Sequence, residues 1–282
     1  MQIEVKNLTF TYSPKSPYAF TALKDISLTI PEGEFFGIIG HTGSGKSTFI
    51  QHLNGLLKPT SGKVLVGNYD IGYKKTKFKE LRAKVGMVFQ YPEQQLFAET
   101  VEKDVAFGLL NLRGKKEKIA QDEIDRKVKA ALTAVGLNYE EVRAKSPFEL
   151  SGGQKRRAAI AGVIVTTPEI LVLDEPCAGL DPVGKREIIK LLHSLHETIK
   201  TIIMVSHDMD EIARNCTTVA LFNKGSIERI SSPRELFLEV ELLEKLSLDA
   251  PITVKVLKES KCRNINALTE EAFVREVMQN VK

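Results

Sequence analysis

A cluster of glycines beside one lysine and several hydroxyl groups is the first part of the chain suited to chemistry. The stretch GHTGSGKST, residues 40–48, fits the pattern G-x-x-x-x-G-K-[ST]. Glycine loses the most conformational freedom on folding, so the cluster indicates backbone that wraps closely around a ligand. Backbone N–H groups can hold phosphate there, the lysine adds positive charge, and a hydroxyl can bind Mg²⁺. We call this stretch the phosphate loop, and its predicted binding residues are Gly40, His41, Thr42, Gly43, Ser44, Gly45, Lys46, Ser47 and Thr48.

Two adjacent carboxylates follow an apolar segment later in the chain. The segment ILVLDE ends in Asp174 and Glu175 and has the composition of a buried strand. Ligands of open α/β sheets bind at the carboxyl ends of such strands. Asp174 is predicted to hold Mg²⁺ through water, and Glu175 to polarise an attacking water. Alone, the pattern is more typical of a strand that enters a solvated loop, so the prediction depends on the phosphate loop.

A second anion-binding pattern lies at residues 150–154, LSGGQ, directly before the helical pattern KRRAAIAG. We call it the signature segment. A serine and two glycines at a helix start can present backbone N–H groups to an anion. The residues predicted to do so are Ser151, Gly152, Gly153 and Gln154. One nucleotide needs only one such cradle, which leaves the purpose of the second one open at this point. The alternative is a capped helix without a ligand.

Apolar segments and helical patterns alternate along most of the chain. Alternating or continuous apolar runs predict strands in IEVKNLTFTY, LKDISLTI, EFFGIIG, KVGMVFQ, EILVLDEP and TIIMVSH, and a hairpin in TTVALFNKGSIERI. Helical spacing is found in STFIQHLNGLL, in residues 101–148, in KRRAAIAGVIV and in KREIIKLLHSLHETI. This order predicts an α/β fold with a mainly parallel core sheet and an antiparallel N-terminal part beside it.

The composition excludes several classes of protein. The chain has 282 residues, 43% of them hydrophobic and 27% charged, which is typical of a soluble globular protein. A net charge of +4 is too small to favour nucleic-acid binding. No apolar run is long enough to span a membrane, and the N-terminus lacks the pattern of a signal peptide. The scattered Cys177, Cys216 and Cys262 indicate reduced thiols, so we expect a cytoplasmic protein.

With these three motifs in this order, residues 1 to about 230 resemble the ATP-binding cassette (ABC) ATPases. The resemblance implies a P-loop NTPase cassette with a mainly parallel core sheet, an antiparallel β subdomain and a helical subdomain at about 101–165. It also implies ATP and Mg²⁺ as ligands. Two subunits would enclose two ATP molecules, with the signature segment of one facing the γ-phosphate held by the other. That arrangement explains why one chain carries two anion cradles.

The resemblance assigns roles to four further residues. Tyr12 resembles the aromatic residue that stacks on adenine, and Gln90 resembles the Q-loop residue that contacts Mg²⁺ and water. Asp181 resembles the residue that communicates across the dimer, and His207 resembles the histidine that contacts the γ-phosphate. The implied catalytic residues are Lys46, Gln90, Glu175 and His207, and the implied metal-binding residues are Ser47, Gln90 and Asp174.

Two positions depart from the family pattern. Cys177 stands where threonine is frequent, and Gly162 stands where arginine is common after the signature helix. Neither residue is expected to contact nucleotide, so the sequence still predicts ATP hydrolysis.

The segment QYPEQQLFAETVEKDVAFG, residues 90–108, closely resembles the ATPases of energy-coupling factor (ECF) transporters, and within them the second of the two paired ATPases. The implied partners are a similar ATPase in a heterodimer, a transmembrane coupling protein and a substrate-binding membrane subunit. The chain would then lie at the cytoplasmic face of the membrane and power uptake of a vitamin or other micronutrient. Leu96 and Phe97 would line a groove for a partner's helix, unless they pack inward.

Three alternatives remain at this stage. A homodimeric cobalt or nickel importer ATPase would share the same motifs. A soluble ABC protein that acts on DNA or ribosomes usually has a long insert or two cassettes, and the spacing from Lys46 to Ser151 leaves no room for either. A regulatory ATP-binding module without turnover would not need Glu175 and His207.

The last fifty residues are predicted to form a segment separate from the ATP-binding domain. Residues 1–232 are predicted to form the ATP-binding domain, and residues 233–282 a helical appendage that stabilises pairing of the two ATPases. Two sparse helices cannot bury its apolar side chains alone, so these must pack on the cassette or on a partner, and the partner is favoured. The residues concerned are Leu236, Phe237, Leu242, Leu243, Leu246, Phe273, Val274 and Val277.

Overall fold

The chain is built around two β-sheets. The computed structural model describes residues 1–112, 119–260, 268–269 and 272–275. The strands are β1 (Ile3–Tyr12), β2 (Phe20–Ile30), β3 (Phe35–Ile39), β4 (Ser61–Val66), β5 (Tyr69–Asp70), β6 (Val85–Val88), β7 (Ile170–Asp174), β8 (Thr201–Val205), β9 (Thr218–Asn223) and β10 (Ser226–Ser231). The helices are α1 (Lys46–Leu53), α2 (Phe78–Lys84), α3 (Val101–Leu112), α4 (Gln121–Ala134), α5 (Tyr139–Val142), α6 (Gly152–Ile164), α7 (Pro182–His196), α8 (Met209–Asn215), α9 (Pro233–Leu238), α10 (Val240–Lys245) and α11 (Ile252–Ser260). Two 3₁₀ turns occur at Pro92–Gln95 and Pro147–Glu149.

The larger sheet has six strands in the order β10-β9-β3-β8-β7-β6. Its strands are parallel except for β10, which forms an antiparallel hairpin with β9. In the register, Val205 pairs with both Ile38 and Asp174, and Leu173 pairs with Val88. The carboxyl ends of β3, β6, β7 and β8 therefore meet at one edge, which is where the predicted chemical groups follow. The predicted α/β fold with a mainly parallel core sheet is confirmed.

Both faces of this sheet are buried, which is why its strands are continuously apolar. Successive side chains of β3 point to opposite faces. Phe36 and Ile38 pack in a core shared with α1 and the N-terminal sheet. Phe35 and Ile39 pack on the other face, in a core shared with helices α3 to α7. The site at the sheet edge thus rests on a strand that is fixed from both sides.

The smaller sheet is antiparallel, with the order β2-β1-β4-β5. The sequence patterns predicted β1 and β2, but they missed β4, β5 and α2. The signal for the missed hairpin was the alternating segment KVLV followed by a Gly-Asn turn at residues 67–68. This sheet packs on the same core as α1, and it brings the end of β1 close to the phosphate loop.

Helices α3 to α6 occupy the region that the resemblance assigns to a helical subdomain. Helices α3 and α6 approach closely through glycine, because a Cβ on Gly108 would lie 2.9 Å from the carbonyl oxygen of Gly162. A Cβ on Gly162 would lie 3.8 Å from the Cα of Val105. The close approach therefore requires glycine at position 108, whereas a Cβ on Gly162 would make only ordinary contact, and nothing in the structure explains the departure at Gly162.

The C-terminal helices pack on the chain's own core, which corrects one expectation. Leu236, Phe237 and Leu243 are fully buried in the same core as α7 and the sheet. The backbone N–H of Ile252 also donates to the Asp210 carboxylate at 3.2 Å. The expectation that a partner covers these residues is wrong for all three. Leu242 and Leu246 are partly buried against the same core, Val274 is exposed, and Val277 and Cys262 lie outside the described residues.

No helix in the described ranges is both long enough and apolar enough to cross a membrane.

Candidate functional site

The phosphate loop connects β3 directly to α1, as the motif requires. Gly40 and Gly45 adopt φ values of 149° and 105°, in the region that glycine tolerates best. A Cβ on Gly40 would lie 2.2 Å from the carbonyl oxygen of Phe222, and one on Gly45 would lie 2.8 Å from that of Ala22. Any other residue at these positions would have to displace backbone. The glycines therefore let the loop lie against β9 and β2 while it turns into the helix.

Lys46 is buried, and its side chain folds back over the loop. Its Nζ donates to the carbonyl oxygens of Gly40 at 2.7 Å and His41 at 3.0 Å. Burial lowers the pKa of Lys46, while the nearby carboxylates of Glu175 and Asp174 oppose that shift. An ammonium group has three donors, so one remains for a bound phosphate.

Two other polar groups of the loop are suited to an anion. The Ser44 hydroxyl is fully enclosed and has no hydrogen-bond partner among the described residues. The His41 ring is held in place through contacts with the Thr42 carbonyl at 2.8 Å and Asn223 Oδ1 at 3.1 Å. An unpartnered hydroxyl is costly to bury, which favours a ligand at this position.

Ser47 and Asp174 lie side by side, although they are far apart in the sequence. The Ser47 hydroxyl hydrogen-bonds to the Asp174 carboxylate, which is itself buried at the end of β7. Burial raises the pKa of Asp174, and the Ser47 hydrogen bond opposes the rise. A hydroxyl and a carboxylate are the oxygen ligands that Mg²⁺ prefers, so these residues fit the ion. Gln90 follows β6 at the same sheet edge and is exposed.

Glu175 and His207 form a hydrogen-bonded pair at the ends of β7 and β8. The Glu175 Oε2 atom accepts from Nδ1 of His207. Glu175 has a φ of 53°, a left-handed conformation that non-glycine residues adopt mainly where the surroundings enforce it. Its backbone N–H is fixed by the Val205 carbonyl at 2.9 Å. The pair borders a cavity of about 270 Å³ that Gln90 and Ser206 also line.

Tyr12 lies at the end of β1, beside the phosphate loop. Its hydroxyl is 3.2 Å from the Thr48 hydroxyl, and 39% of the residue is exposed. The residue opposite it across the strands, Phe20, is 61% exposed. The structure thus provides an open aromatic surface next to the loop, where a flat base could stack.

Residues 151–154 of the signature segment are exposed, whereas Leu150 is buried. Ser151 caps α6 by accepting from the backbone N–H of Gln154 at 3.3 Å, while Gln154 Oε1 accepts from the Ser151 N–H at 3.0 Å. Among the described residues, no heavy atom beyond the chain neighbours and the backbone of the same helix lies within 4 Å of a Cβ placed on Gly152 or Gly153. Within the described ranges, no hydrogen bond or ion pair joins this segment to the phosphate loop. The chain therefore presents two separate anion cradles.

Asp181 begins α7, where its Oδ1 accepts from the backbone N–H of Gly184 at 2.8 Å. Its position is exposed, so the remaining carboxylate oxygen faces solvent in the single chain. Cys177, in the same loop, is buried beside Glu211, and burial together with that carboxylate raises the pKa of its thiol to about 12. The thiol stays protonated and unreactive at neutral pH.

One pair near the site was missed by the sequence patterns. The buried Arg156 guanidinium binds Glu93 through Nε and an Nη atom, both at 3.1 Å. The two residues are 63 positions apart, and neither belongs to a recognisable spacing. Only the fold brings the turn Pro92–Gln95 against α6.

Comparisons with known proteins agree with this geometry. The family model described as ABC transporter matches residues 23–178. The energy-coupling factor transporter ATP-binding protein EcfA2 of Clostridium tetani is 48% identical over 98% of this chain and 94% of its own length. The solved structure of cbiO1 from Clostridium perfringens, part of the ABC transporter complex cbiONQ, is 40% identical, with a TM-score of 0.75 over 91% of this chain and 98% of its own.

A dimeric ATP-binding cassette solved in a post-hydrolysis state with ADP and phosphate is 31% identical. Its TM-score is 0.72, over 82% of this chain and 98% of its own. The fold, the order of the motifs and the full-length likeness agree. The chain therefore belongs to the ABC transporter family, and within it to the energy-coupling factor transporter ATP-binding proteins.

Proposed function

We propose that this chain is the ATP-hydrolysing subunit of an ECF-type importer and that it pairs with a second, similar ATPase. Both would bind a transmembrane coupling protein and a substrate-binding membrane subunit, at the cytoplasmic face of the membrane. The observation that carries the proposal is the convergence of Lys46, Ser47, Asp174, Glu175 and His207 at one edge of the parallel sheet.

The phosphate loop binds the β- and γ-phosphates of ATP through its backbone N–H groups and the N-terminus of α1. Lys46 contributes a charge-assisted hydrogen bond from its remaining donor, and the Ser44 hydroxyl gains a partner. Tyr12 stacks on the adenine ring. These contacts fix the position of the γ-phosphate relative to Glu175.

Ser47, Asp174 through water, and Gln90 are the residues that would hold Mg²⁺. The ion supplies positive charge that neutralises the phosphate oxygens. The ionised Asp174 carboxylate, which costs free energy when buried alone, gains compensation at the same time.

Glu175 orients the attacking water and accepts its proton at a carboxylate oxygen. The hydrogen bond from His207 Nδ1 fixes the orientation of that carboxylate. Nε2 of the exposed imidazole can then donate to the γ-phosphate when the ring is in its imidazolium form, because Nδ1 already donates to Glu175. Because phosphoryl transfer depends mainly on positioning and charge, this arrangement is sufficient without a covalent intermediate.

The exposed signature segment completes the ATP site of the paired subunit. The backbone N–H groups of Gly152 and Gly153, in the first turn of α6, and the hydroxyl hydrogen of Ser151 would meet a γ-phosphate held elsewhere. ATP then stabilises the closed pair, since it contacts both subunits only in that state. Asp181, at the start of α7, communicates between the two sites.

The membrane partner docks on an apolar patch formed by Phe97, Phe107 and Leu110. Their exposed fractions are 61%, 47% and 52%, and the rings of Phe97 and Phe107 meet edge to face at 4.9 Å. Leu96 does not belong to this patch, because it is 7% exposed and packs inward. The backbone N–H groups of Phe97 and Ala98 donate to Asp104, which holds the patch on α3.

A homodimeric cobalt or nickel importer ATPase is the second candidate, because it would carry the same motifs, and the likeness to cbiO1, part of the ABC transporter complex cbiONQ, is compatible with either candidate. In either case the transported substrate is selected by another chain.

Purification of the complex from membranes tests the proposal. The expected companions are one different ATPase chain, one coupling membrane protein and one small membrane subunit, identified by mass spectrometry. Recovery of this chain as the sole ATPase, with membrane proteins, would support the homodimeric candidate. Recovery with no membrane protein would contradict both.

A further inference from the structure

Arg156 lies on the helix that begins with the signature segment, and it connects this helix to two loops near the carboxyl ends of the parallel strands. Its side chain is 4% exposed, and that of Glu93 is 24% exposed. Beyond its two contacts with Glu93, the guanidinium donates through Nη1 to the carbonyl oxygens of Pro176 at 3.2 Å and Ala178 at 2.9 Å. Four of its five N–H donors are thus used.

The two carbonyls belong to the loop at 175–181, which begins with Glu175 and ends with Asp181. Glu93 belongs to the turn that follows Gln90 and Tyr91. The two segments also lie close together, because a Cβ placed on Gly179 would be 3.6 Å from the Tyr91 ring. Arg156 lies five positions after Ser151, about 7.5 Å along the same helix. One side chain therefore joins the signature helix, the turn Pro92–Gln95 and the 175–181 loop.

This contact depends on the shape of arginine. The planar guanidinium presents a fixed fork to the carboxylate and two further donors to the carbonyls, and the ammonium of lysine cannot reproduce both. The turn Pro92–Gln95 is followed immediately by Leu96 and Phe97, so it adjoins the apolar patch assigned to the membrane partner. A displacement of Phe97 by a docked partner would therefore be passed through the chain to the turn that contains Glu93.

We propose that Arg156 is a positioning residue that transmits displacement of Glu93 by the docked membrane partner to the 175–181 loop. The inference rests on the proposed function, because it requires a partner at the Phe97 patch. Through the Pro176 and Ala178 carbonyls, the guanidinium sets the loop that carries Glu175 and Asp181. Membrane-partner docking and the geometry of hydrolysis are coupled by this pair.

The test compares Glu93→Gln and Arg156→Lys in the purified membrane complex and in the ATPase pair without membrane subunits. Glu93→Gln retains the side-chain size and leaves the two carbonyl contacts intact. The matched control is Arg157→Lys, since Arg157 lies on the same helix and pairs with Glu187 at 2.9 Å and with the Val135 carbonyl at 2.7 Å, away from both loops. Thermal unfolding of each variant reports on its folding.

The measured quantity is the ratio of ATP turnover in the complex to turnover in the pair alone. We expect this ratio to fall about fivefold or more in both test variants, the range typical of coupling between sites, with KM for ATP unchanged. The Arg157→Lys ratio should equal that of the wild type. Combining Glu93→Gln with Arg156→Lys should cause little further loss, because both act on one contact.

Two results would overturn the inference. One is a wild-type ratio in folded Glu93→Gln and Arg156→Lys complexes. The other is an equal loss of turnover with and without the membrane subunits, which would show that the pair only supports the fold. Failure of the proposed function is distinguishable, because the wild-type chain itself would then form no membrane complex.

Discussion

The phosphate loop and the signature segment are both anion cradles, yet the structure treats them differently. Lys46, Ser44 and Asp174 are buried, and the groups around the loop contact one another across strands that are distant in sequence. Ser151, Gly152 and Gly153 are exposed, and Ser151 forms capping hydrogen bonds with Gln154 of the same segment. The first cradle is assembled from segments that are distant in sequence, whereas the side-chain hydrogen bonds of the second, within the part of the chain that the structure describes, stay inside the segment itself.

This difference indicates where the missing half of each site lies. A buried cradle with an unpartnered Ser44 hydroxyl is prepared for a ligand inside this chain. An exposed cradle at a helix start is prepared for a ligand that another molecule brings. Each of the following predictions separates the chain's own half of the site from the half that it offers to a partner.

Glu175→Gln tests the chain's own half and should have the largest effect. The amide cannot accept the proton of the attacking water, so turnover at this site should fall about 10²- to 10⁴-fold while ATP binding persists. Steady-state ATP hydrolysis and equilibrium nucleotide binding by the purified pair provide the measurements. Glu187→Gln, on the exposed side of α7, is the control. Unchanged turnover in Glu175→Gln would remove this carboxylate from the mechanism.

Gly153→Asp tests the half offered to a partner. An aspartate fits the open space around Gly153 in the single chain, so ATP affinity of the isolated chain should not change. In the pair the aspartate would face the phosphate held by the paired subunit, and like charges across an interface cost several kcal/mol, so turnover at the paired subunit's site should fall about a hundredfold or more. Gly153→Ala controls for size. Weakened ATP binding by the isolated Gly153→Asp chain would show that the segment serves its own site.

Phe97→Asp tests a third surface, the apolar patch proposed to bind the membrane partner. A charge there would be buried on docking, and the membrane complex should weaken about tenfold or more. Nucleotide binding should be unchanged, because the ring is exposed in the single chain. Tyr73→Asp is the control, since Tyr73 is similarly exposed on a different turn. Recovery of the Phe97→Asp complex at the wild-type level would place docking elsewhere.

Asp174→Asn tests the free-energy cost of burying an ionised carboxylate beside the phosphate loop, and its effect should be the smallest. Burial raises the pKa of Asp174 above the ordinary value of 3.8, so the folded protein binds that proton more tightly than the unfolded chain does. The free energy of unfolding therefore falls as the pH rises from the pKa of the unfolded chain through the higher pKa of the folded protein. Above that range it stays lower, because the buried carboxylate is ionised. The variant should have a higher Tm without nucleotide at pH 7, with a difference that shrinks towards pH 4. A lower Tm at pH 7 would mean that the contacts with Lys46 and Ser47 outweigh burial.

Much of the first cradle could be predicted from the sequence because its residues follow apolar strands. Once β3, β6, β7 and β8 are parallel, their carboxyl ends must meet, and Lys46, Asp174 and Glu175 converge. Contacts between segments of no fixed spacing could not be predicted. The Arg156–Glu93 pair depends on how α6 lies against a 3₁₀ turn, which no local pattern records.

The surface on which the C-terminal helices pack could not be predicted from the sequence either. Their sequence indicated that Leu236 and Phe237 need a cover, but amphipathicity does not identify the surface that provides it. The structure shows that the chain itself covers both, in the core that includes α7. Pairing through residues 233–282 remains a prediction for the side chains that stay exposed there, among them Ile252 and Val256.

In the proposed function, hydrolysis requires two chains, because each site combines the phosphate loop of one chain with the signature segment of another. The most direct test measures ATP turnover per molecule of this chain while the paired ATPase is titrated at a fixed saturating ATP concentration. Turnover should rise from near zero to a plateau as pairs form, and with the Gly153→Asp chain the plateau should be lower, because the paired subunit's site then lacks a working signature segment. Full turnover by the single chain at concentrations too low for any pairing, unaffected by added partner, would contradict the account.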